Sequence, residues 1–287
     1  MASRNGTITF IANPKSGATS RKRLSQQFYS YLLECGYHVR FAPTTAPGHA
    51  CDLAREAAHD EGCTHVVVAG GDGTIREAAE GLQGSDTPLL IVPSGTENLL
   101  AGELGYDERL RTVIETFEEG FIRPLDLGMI NGQCFICVVG VGFDADVVDR
   151  VHRNRSGHID YFDYIDPIWQ AFCHHRFLPI QVLVDGEEIY CGPGMAFVGN
   201  VARFAGGLKI LHQAHYGDGL LDICVFKCNN RPHLVKHALF TMAQQHDTFG
   251  DVIYQQGQRV TIRAYSPTVK SEVDGDPGPE LPIRITT

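Results

Sequence analysis

The chain has 287 residues, 43% of them hydrophobic, more than one core ordinarily takes, and suits two domains of roughly 120 to 160 residues. A formal net charge of -10 excludes broad nucleic-acid binding, which needs a basic surplus to replace the counterions of phosphates, and weakens any tight hold on an anionic lipid surface. Nine cysteines, an odd count scattered through strand-like and helix-like segments, argue against a disulfide framework and for a reducing compartment.

No apolar stretch approaches the roughly 20 residues of a membrane-spanning helix, and Met1 to Gly6 lacks the apolar block of a signal peptide, so a cytoplasmic location is expected. The first 105 residues alternate strand, loop and helix. Thr7 to Ala12 reads as a strand, then come the turn Asn13-Pro14-Lys15-Ser16-Gly17 and a helix from about Thr19 to Cys35, by apolar periodicity and turn chemistry. That helix carries Arg21-Lys22-Arg23, which is either a local patch for membrane contact or a plain solvated face. Tyr37 to Ala42 is a second strand, followed by the loop Pro43 to Gly48 and an Ala-rich helix to about Asp60. His65 to Ala69 is a third, its Val66-Val67-Val68 run suiting a strand buried on both faces, and Leu89 to Val92 is a fourth. Such alternation predicts a parallel sheet covered by helices, with ligands at the carboxyl ends of the strands.

Two loops in this half carry chemistry. In Gly70-Gly71-Asp72-Gly73-Thr74, three glycines in four positions let the backbone approach a ligand, and the helix that follows, Ile75 to Gly81, aims its free N–H groups there, an arrangement suited to phosphate. Asp72 would repel phosphate unless magnesium or an ordered water lies between them; with Asp126 and Asp274 it makes up three candidate catalytic acids for phosphoryl transfer. The plainer reading is a strand-to-helix turn. The second loop, Pro93-Ser94-Gly95-Thr96-Glu97-Asn98, also joins a strand to a helix; Thr96 and Asn98 are either nucleotide contacts or N-caps.

After about Pro124 the texture changes. Asp126 to Ile130 and Gln133 to Val139 flank Asn131-Gly132, and Ile180 to Val184 with Glu187 to Cys191 flank Asp185-Gly186, both dipeptides suiting two-residue hairpins. Further strands are expected at Met195 to Gly199, Leu220 to Lys227, Arg259 to Tyr265 and Leu281 to Thr286, with helices near Asp144 to His152, Tyr161 to His175 and Pro232 to Gln245. Cys134 and Cys137 have zinc-like spacing, but residues three apart on a strand face opposite ways. Asp274 and Asp276 flank Gly275, and alternate positions on an extended segment point to one side; a polar turn is the simpler alternative. His215-Tyr216-Gly217-Asp218-Gly219 has the acid and glycines of an oxygen-ligand metal loop, though one carboxylate needs carbonyls and water beside it.

Together these segments resemble the catalytic domain of the diacylglycerol kinase family, the bacterial lipid kinases related to sphingosine and ceramide kinases. The likeness rests on Asn13-Pro14-Lys15-Ser16-Gly17, Thr44 ahead of Gly48-His49-Ala50, Gly70 to Thr74, Gly95-Thr96-Glu97-Asn98, Pro124-Leu125-Asp126-Leu127-Gly128, Gly140-Val141-Gly142-Phe143-Asp144, Asp218-Gly219-Leu220-Leu221-Asp222 and Val273-Asp274-Gly275-Asp276. It implies an α/β N-terminal domain with a parallel sheet, of the NAD kinase and diacylglycerol kinase type, over residues 1–123, and a mostly antiparallel β-sandwich domain for the lipid over 124–287.

It also implies ATP contacts from Thr44, Gly70, Gly71, Asp72, Gly73, Thr74, Ile75, Arg76 and Thr96, with Asn98 in the same loop. Asp274 would be the general base for the acceptor hydroxyl, and Asp126 would lie near it in a carboxylate and water network around magnesium. Asp218, with the main-chain carbonyls of His215 and Leu220, would hold a separate structural magnesium. Asp276 stands where relatives commonly have a metal-facing glutamate, and Glu97 where many have a small residue. The expected activity is magnesium-dependent phosphorylation of a diacylglycerol-like lipid by ATP, during transient contact with a membrane, with a homodimer left open. The alternatives are an NAD kinase, in which Asp72 would serve the substrate ribose, and a nucleotide-binding regulatory protein without catalysis.

Overall fold

A computed structural model describes residues 6–16, 19–95, 97–153 and 164–287. The chain divides into two compact units, Met1–Pro124 and Leu125–Thr287.

The first unit runs β1 (Thr7–Ala12), α1 (Thr19–Glu34), β2 (His38–Pro43), α2 (His49–His59), β3 (Cys63–Gly70), α3 (Asp72–Gly81), β4 (Leu89–Pro93), α4 (Leu99–Glu103) and α5 (Leu110–Glu119). Its strands form a parallel sheet in the order β2-β1-β3-β4. Val66, Val67 and Val68 are wholly buried, as a central parallel strand covered on both faces requires. Ile8, Phe10, Val67 and Val92 pack with Phe28 and Leu32 of α1 and Phe117 of α5. Helix α5 is an element that turn and strand signals did not suggest, although Leu110, Val113, Ile114 and Phe117 repeat at the spacing of one helical face.

The second unit contains β5 (Gly128–Ile130), β6 (Gln133–Phe135), β7 (Val138–Val141), α6 (Phe143–Arg153), α7 (Ile165–His174), β8 (Pro179–Val184), β9 (Glu187–Gly199), β10 (Arg203–Phe204), β11 (Leu208–Lys209), β12 (Leu221–Lys227), α8 (Arg231–Met242), β13 (Val252–Gly257), β14 (Arg259–Ala264), β15 (Ser271–Val273), β16 (Asp276–Pro277) and β17 (Ile283–Thr286). The pairing is antiparallel throughout, in the order β16-β15-β7-β9-β8-β14-β17-β5-β6, with β12 and β13 branching from β9. Both hairpin dipeptides adopt left-handed backbone at both positions, Asn131 and Gly132 at φ 47 and 88, Asp185 and Gly186 at φ 50 and 94, the geometry that matches strand twist.

Three sequence expectations change in this unit. The run Gln133 to Val139 is two strands, because the chain bends at Ile136 and Cys137 and passes from one half of the sandwich to the other. Conversely, Glu187 to Gly199 is one strand: it pairs with β8 as far as Pro193, and from Gly194 with β12, with β7 on its other edge. Gly192-Pro193-Gly194 therefore marks a change of sheet rather than an end. Strand β13, rich in polar residues, lies on a single neighbour, β12, and its outward glutamines conceal the alternation. The helix expected over Tyr161 to His175 spans Ile165–His174, residues 161–163 being outside those described. One apolar core joins both halves of the sandwich, from Val139, Val198 and Ile223 to Val182, Ile262 and Ile285.

Candidate functional site

In the first unit, three turns meet at the carboxyl ends of β1, β3 and β4. Asn13 N–H donates to the Ala69 carbonyl at 2.9 Å, and its Nδ2 donates to Thr74 Oγ1 at 3.0 Å. The Ser94 N–H donates to the Gly70 carbonyl at 3.1 Å, and Ser16 Oγ to the Ser94 carbonyl at 3.4 Å. The two glycine loops touch backbone to backbone: a Cβ on Gly95 would lie 2.4 Å from the Gly71 Cα, and one on Gly71 would lie 3.1 Å from the Gly95 Cα. A side chain at Gly95 would force the loops apart, and one at Gly71 would press on Gly95 more tightly than ordinary contact.

Helix α3 begins at Asp72 with Gly71 as N-cap and no side-chain cap, so its first amide groups remain suited to an external anion. The Asp72 carboxylate accepts from the N–H of Leu99 at 3.1 Å and of Leu100 at 3.4 Å. Its charge thus serves the positive end of α4, which explains how an acid is accommodated inside this glycine loop. Ile75 is 0% exposed, leaving only its main chain to a ligand. Asn98 is 6% exposed and clamps its own loop, its Oδ1 accepting from Gly95 N–H at 2.7 Å and its Nδ2 donating to the Gly95 carbonyl at 3.0 Å. Thr44 follows β2, its N–H on the Ala12 carbonyl at 2.8 Å, and Glu77 of α3 accepts from the N–H groups of Gly48 and Ala50. Arg76 is half-buried. Gly17, Thr96 and the side chain of Arg21 lie outside the described residues.

In the second unit Asp274 occupies the β15–β16 turn at φ 49. Its Oδ1 accepts from the N–H groups of Cys137 and Val138 at 2.8 and 3.0 Å, and its Oδ2 from Ile136 at 2.9 Å. Three amide donors stabilise the ionised carboxylate, and the same bonds fix the bend that separates β6 from β7. Asp126 precedes β5 rather than belonging to it. Its N–H donates to the Tyr216 carbonyl at 2.8 Å and its Oδ2 accepts from Gly219 N–H at 2.6 Å, so it anchors the 215–220 loop. Within that loop Asp218 is exposed and accepts from Leu220 N–H at 3.0 Å, while His215 stacks on Tyr216. Asp222 is fully buried, bonded by Tyr254 Oη at 2.6 Å and Gln256 Nε2 at 3.1 Å; burial raises its pKa and these bonds oppose the shift. Asp276 is half-buried at the start of β16.

Among the described residues no three His, Cys, Asp or Glu side chains are grouped to hold a metal, and Cys134 and Cys137 are buried and outside any such group. Magnesium does not require such a cluster: it commonly takes one or two carboxylates and completes its shell with water and phosphate. Asp126 and Asp218 each bring one carboxylate of that kind, Asp218 exposed and Asp126 with its Oδ2 on the N–H of Gly219. Sequence reasoning missed Asp144 and Glu272. Burial pushes Asp144 up to about 7, and burial together with the charge of Asp144 raises Glu272 well above its ordinary value. No local signal marks Glu272, which sits in a three-residue strand beside Ser271 and Val273.

Residues 7–130 match the family described as "Diacylglycerol kinase catalytic domain", and residues 137–287 match "YegS C-terminal NAD kinase beta sandwich-like domain". A protein of Mycobacterium tuberculosis named diacylglycerol kinase is 30% identical over 288 residues, covering 98% of this chain and 92% of its own length. One of the same name from Bacillus subtilis is 29% identical over 276 residues, covering 95% and 90%. A crystal structure described as that of a diacylglycerol kinase from Bacillus anthracis superposes with a TM-score of 0.77 at 22% identity, covering 99% of this chain and 94% of that one; it shares the fold.

Proposed function

Since the chain belongs to the diacylglycerol kinase catalytic-domain family, we propose that it is an ATP-dependent lipid kinase transferring the γ-phosphate to the hydroxyl of a diacylglycerol-like lipid. The observation that carries this reading is the pair of glycine loops packed on each other at Gly71 and Gly95, beside the uncapped start of α3, in a chain similar along its length to proteins named diacylglycerol kinase.

Phosphoryl transfer asks little covalent work of a protein; it asks for positioned phosphates, charge neutralisation and an acceptor for the hydroxyl proton. The main chain of Gly70 to Arg76 binds the phosphates, with Thr44 and Thr96 as further contacts, and Asn98 holds the second loop in shape. Asp72 organises that loop from beneath. Asp274 takes the proton of the lipid hydroxyl. Asp126, with water, would hold a magnesium ion, which would supply charge neutralisation to phosphate; Asp218 and the carbonyls of His215 and Leu220 would hold a separate, structural ion. The lipid is reached during transient contact of a cytoplasmic protein with a membrane. Among the described residues no helix is long and apolar enough to cross one.

The test is magnesium-dependent transfer of label from ATP to diacylglycerol, sphingosine, ceramide and other lipid alcohols in mixed micelles, with NAD as comparator. Label is expected in a lipid, and Asp274→Asn, its fold checked by circular dichroism, should lower kcat by roughly 100-fold or more, as loss of a general base does. Label in NAD instead would make the protein an NAD kinase. Nucleotide binding without transfer to any alcohol would make it a regulatory protein.

A further inference from the structure

Glu272 of β15 is 1% exposed, and Asp144 stands in the first turn of α6. Glu272 Oε1 and Asp144 Oδ2 are both closed to solvent, and neither has a hydrogen-bond donor. Both converge on Gly140 of β7, which is Glu272's register partner: a Cβ built there would lie 2.6 Å from Glu272 Oε1 and 2.7 Å from Asp144 Oδ2. Two facing acceptor oxygens repel unless a proton lies between them, and one shared proton converts the repulsion into a hydrogen bond.

The neighbouring charges are otherwise engaged. Asp146 is bonded to His175 Nδ1 at 2.5 Å, Asp149 to Lys270 and Arg153, and Asp274 to the amides of residues 136–138. Among the described residues no Lys, Arg or His forms an ion pair with Asp144 or Glu272. The second oxygen of Glu272, Oε2, accepts from the N–H of Gly275 at 2.8 Å, the residue that follows Asp274 in the turn.

We propose that Asp144 and Glu272 share one proton across Gly140 and act as a positioning pair, fastening the turn that carries Asp274 to the first turn of α6. For its consequence in catalysis the inference rests on the function proposed above; for the shared proton it does not. The raised values of both groups support retention of the proton near neutrality. A folded-state value above the unfolded one means that the stabilisation from the shared proton is complete in acid and is lost as pH rises through the raised value at which the pair gives up its last proton. Once the pair is doubly ionised, the carboxylates repel and the Asp274 turn loosens.

The test compares the full-length protein with Glu272→Gln and Asp144→Asn, each of which replaces the shared proton by a permanent N–H donor. Infrared spectra without substrate should show a protonated-carboxyl C=O band in the unsubstituted protein below neutral pH, absent from both variants. Melting temperature should fall as pH rises through neutrality in the unsubstituted protein and stay level in Glu272→Gln. With lipid substrate, kcat should decline on the alkaline side by about tenfold per pH unit, as for loss of a single proton, at constant KM for ATP, and that decline should vanish in Glu272→Gln. Absence of the band, an alkaline loss of stability that persists in Glu272→Gln, or removal of the band by added magnesium, which would mark a cation site, would each overturn the pair. If no lipid is phosphorylated, the functional reading fails while the infrared and melting results still decide the proton.

Discussion

At the scale of single residues, Gly71 and Gly95 are set by each other. Flexibility alone would permit alanine wherever φ is ordinary, and Gly71 at φ -90 is ordinary; the constraint is the 2.4 Å separation that a Gly95 Cβ would have from the Gly71 Cα. Gly95→Ala should therefore separate the loops, costing about 1–3 kcal/mol by overpacking and weakening binding of a fluorescent ATP analogue. Gly84→Ala, at a surface turn with open space around it, is the control for stability. It should lose a little through its φ of 76 and leave nucleotide binding unchanged. Retained binding in Gly95→Ala would separate the loop contact from the nucleotide site. The glycines themselves are legible in the sequence. Their reciprocal contact is not, because it joins residues from two loops whose approach depends on strand pairing.

Elements show the same limit in another form. The apolar content of Gln133 to Val139 indicates extended chain, yet the bend inside it is imposed by Asp274, from the far end of the domain in sequence. Local pattern cannot report a bond formed across so many residues. Hairpins, governed by adjacent dipeptides, are legible to the turn, as is the parallel sheet of the first unit. The acids are legible as a set, but their separate roles are not. Asp72 reads in the sequence as a ligand-facing group; that its carboxylate also accepts from the first amides of α4 is not legible there. An Asp72→Ala substitution should cost about 1 kcal/mol, as loss of an N-cap carboxylate does, seen as a lower urea midpoint without nucleotide. An unchanged midpoint would mean that α4 does not depend on the cap. Asp144 and Glu272 are hidden for the same reason as the bonds of Asp274, being brought together only by the pairing of β7 with β15.

For the whole molecule, the division at Pro124 and Leu125 falls in a segment without helix or strand from Gly120 to Leu127, where Phe121 is 89% exposed. Sparing chymotrypsin should cut after Phe121 and leave two protected fragments, since exposed linkers between compact units are cleaved first; scattered early products would argue against two units. The second unit also has an order of assembly written into its pairing. Met129 and Ile130 of β5 lie against Thr286 and Ile285 of β17, so the unit's opening strand waits for its closing one. On a ribosome, the first unit has all its strands available while the second has emerged only in part. The hairpin of β5 and β6 then carries Ile130 and Phe135, destined for the core, uncovered until the last strand is synthesised. Such delayed long-range closure is slow and leaves those apolar side chains open to aggregation while it waits.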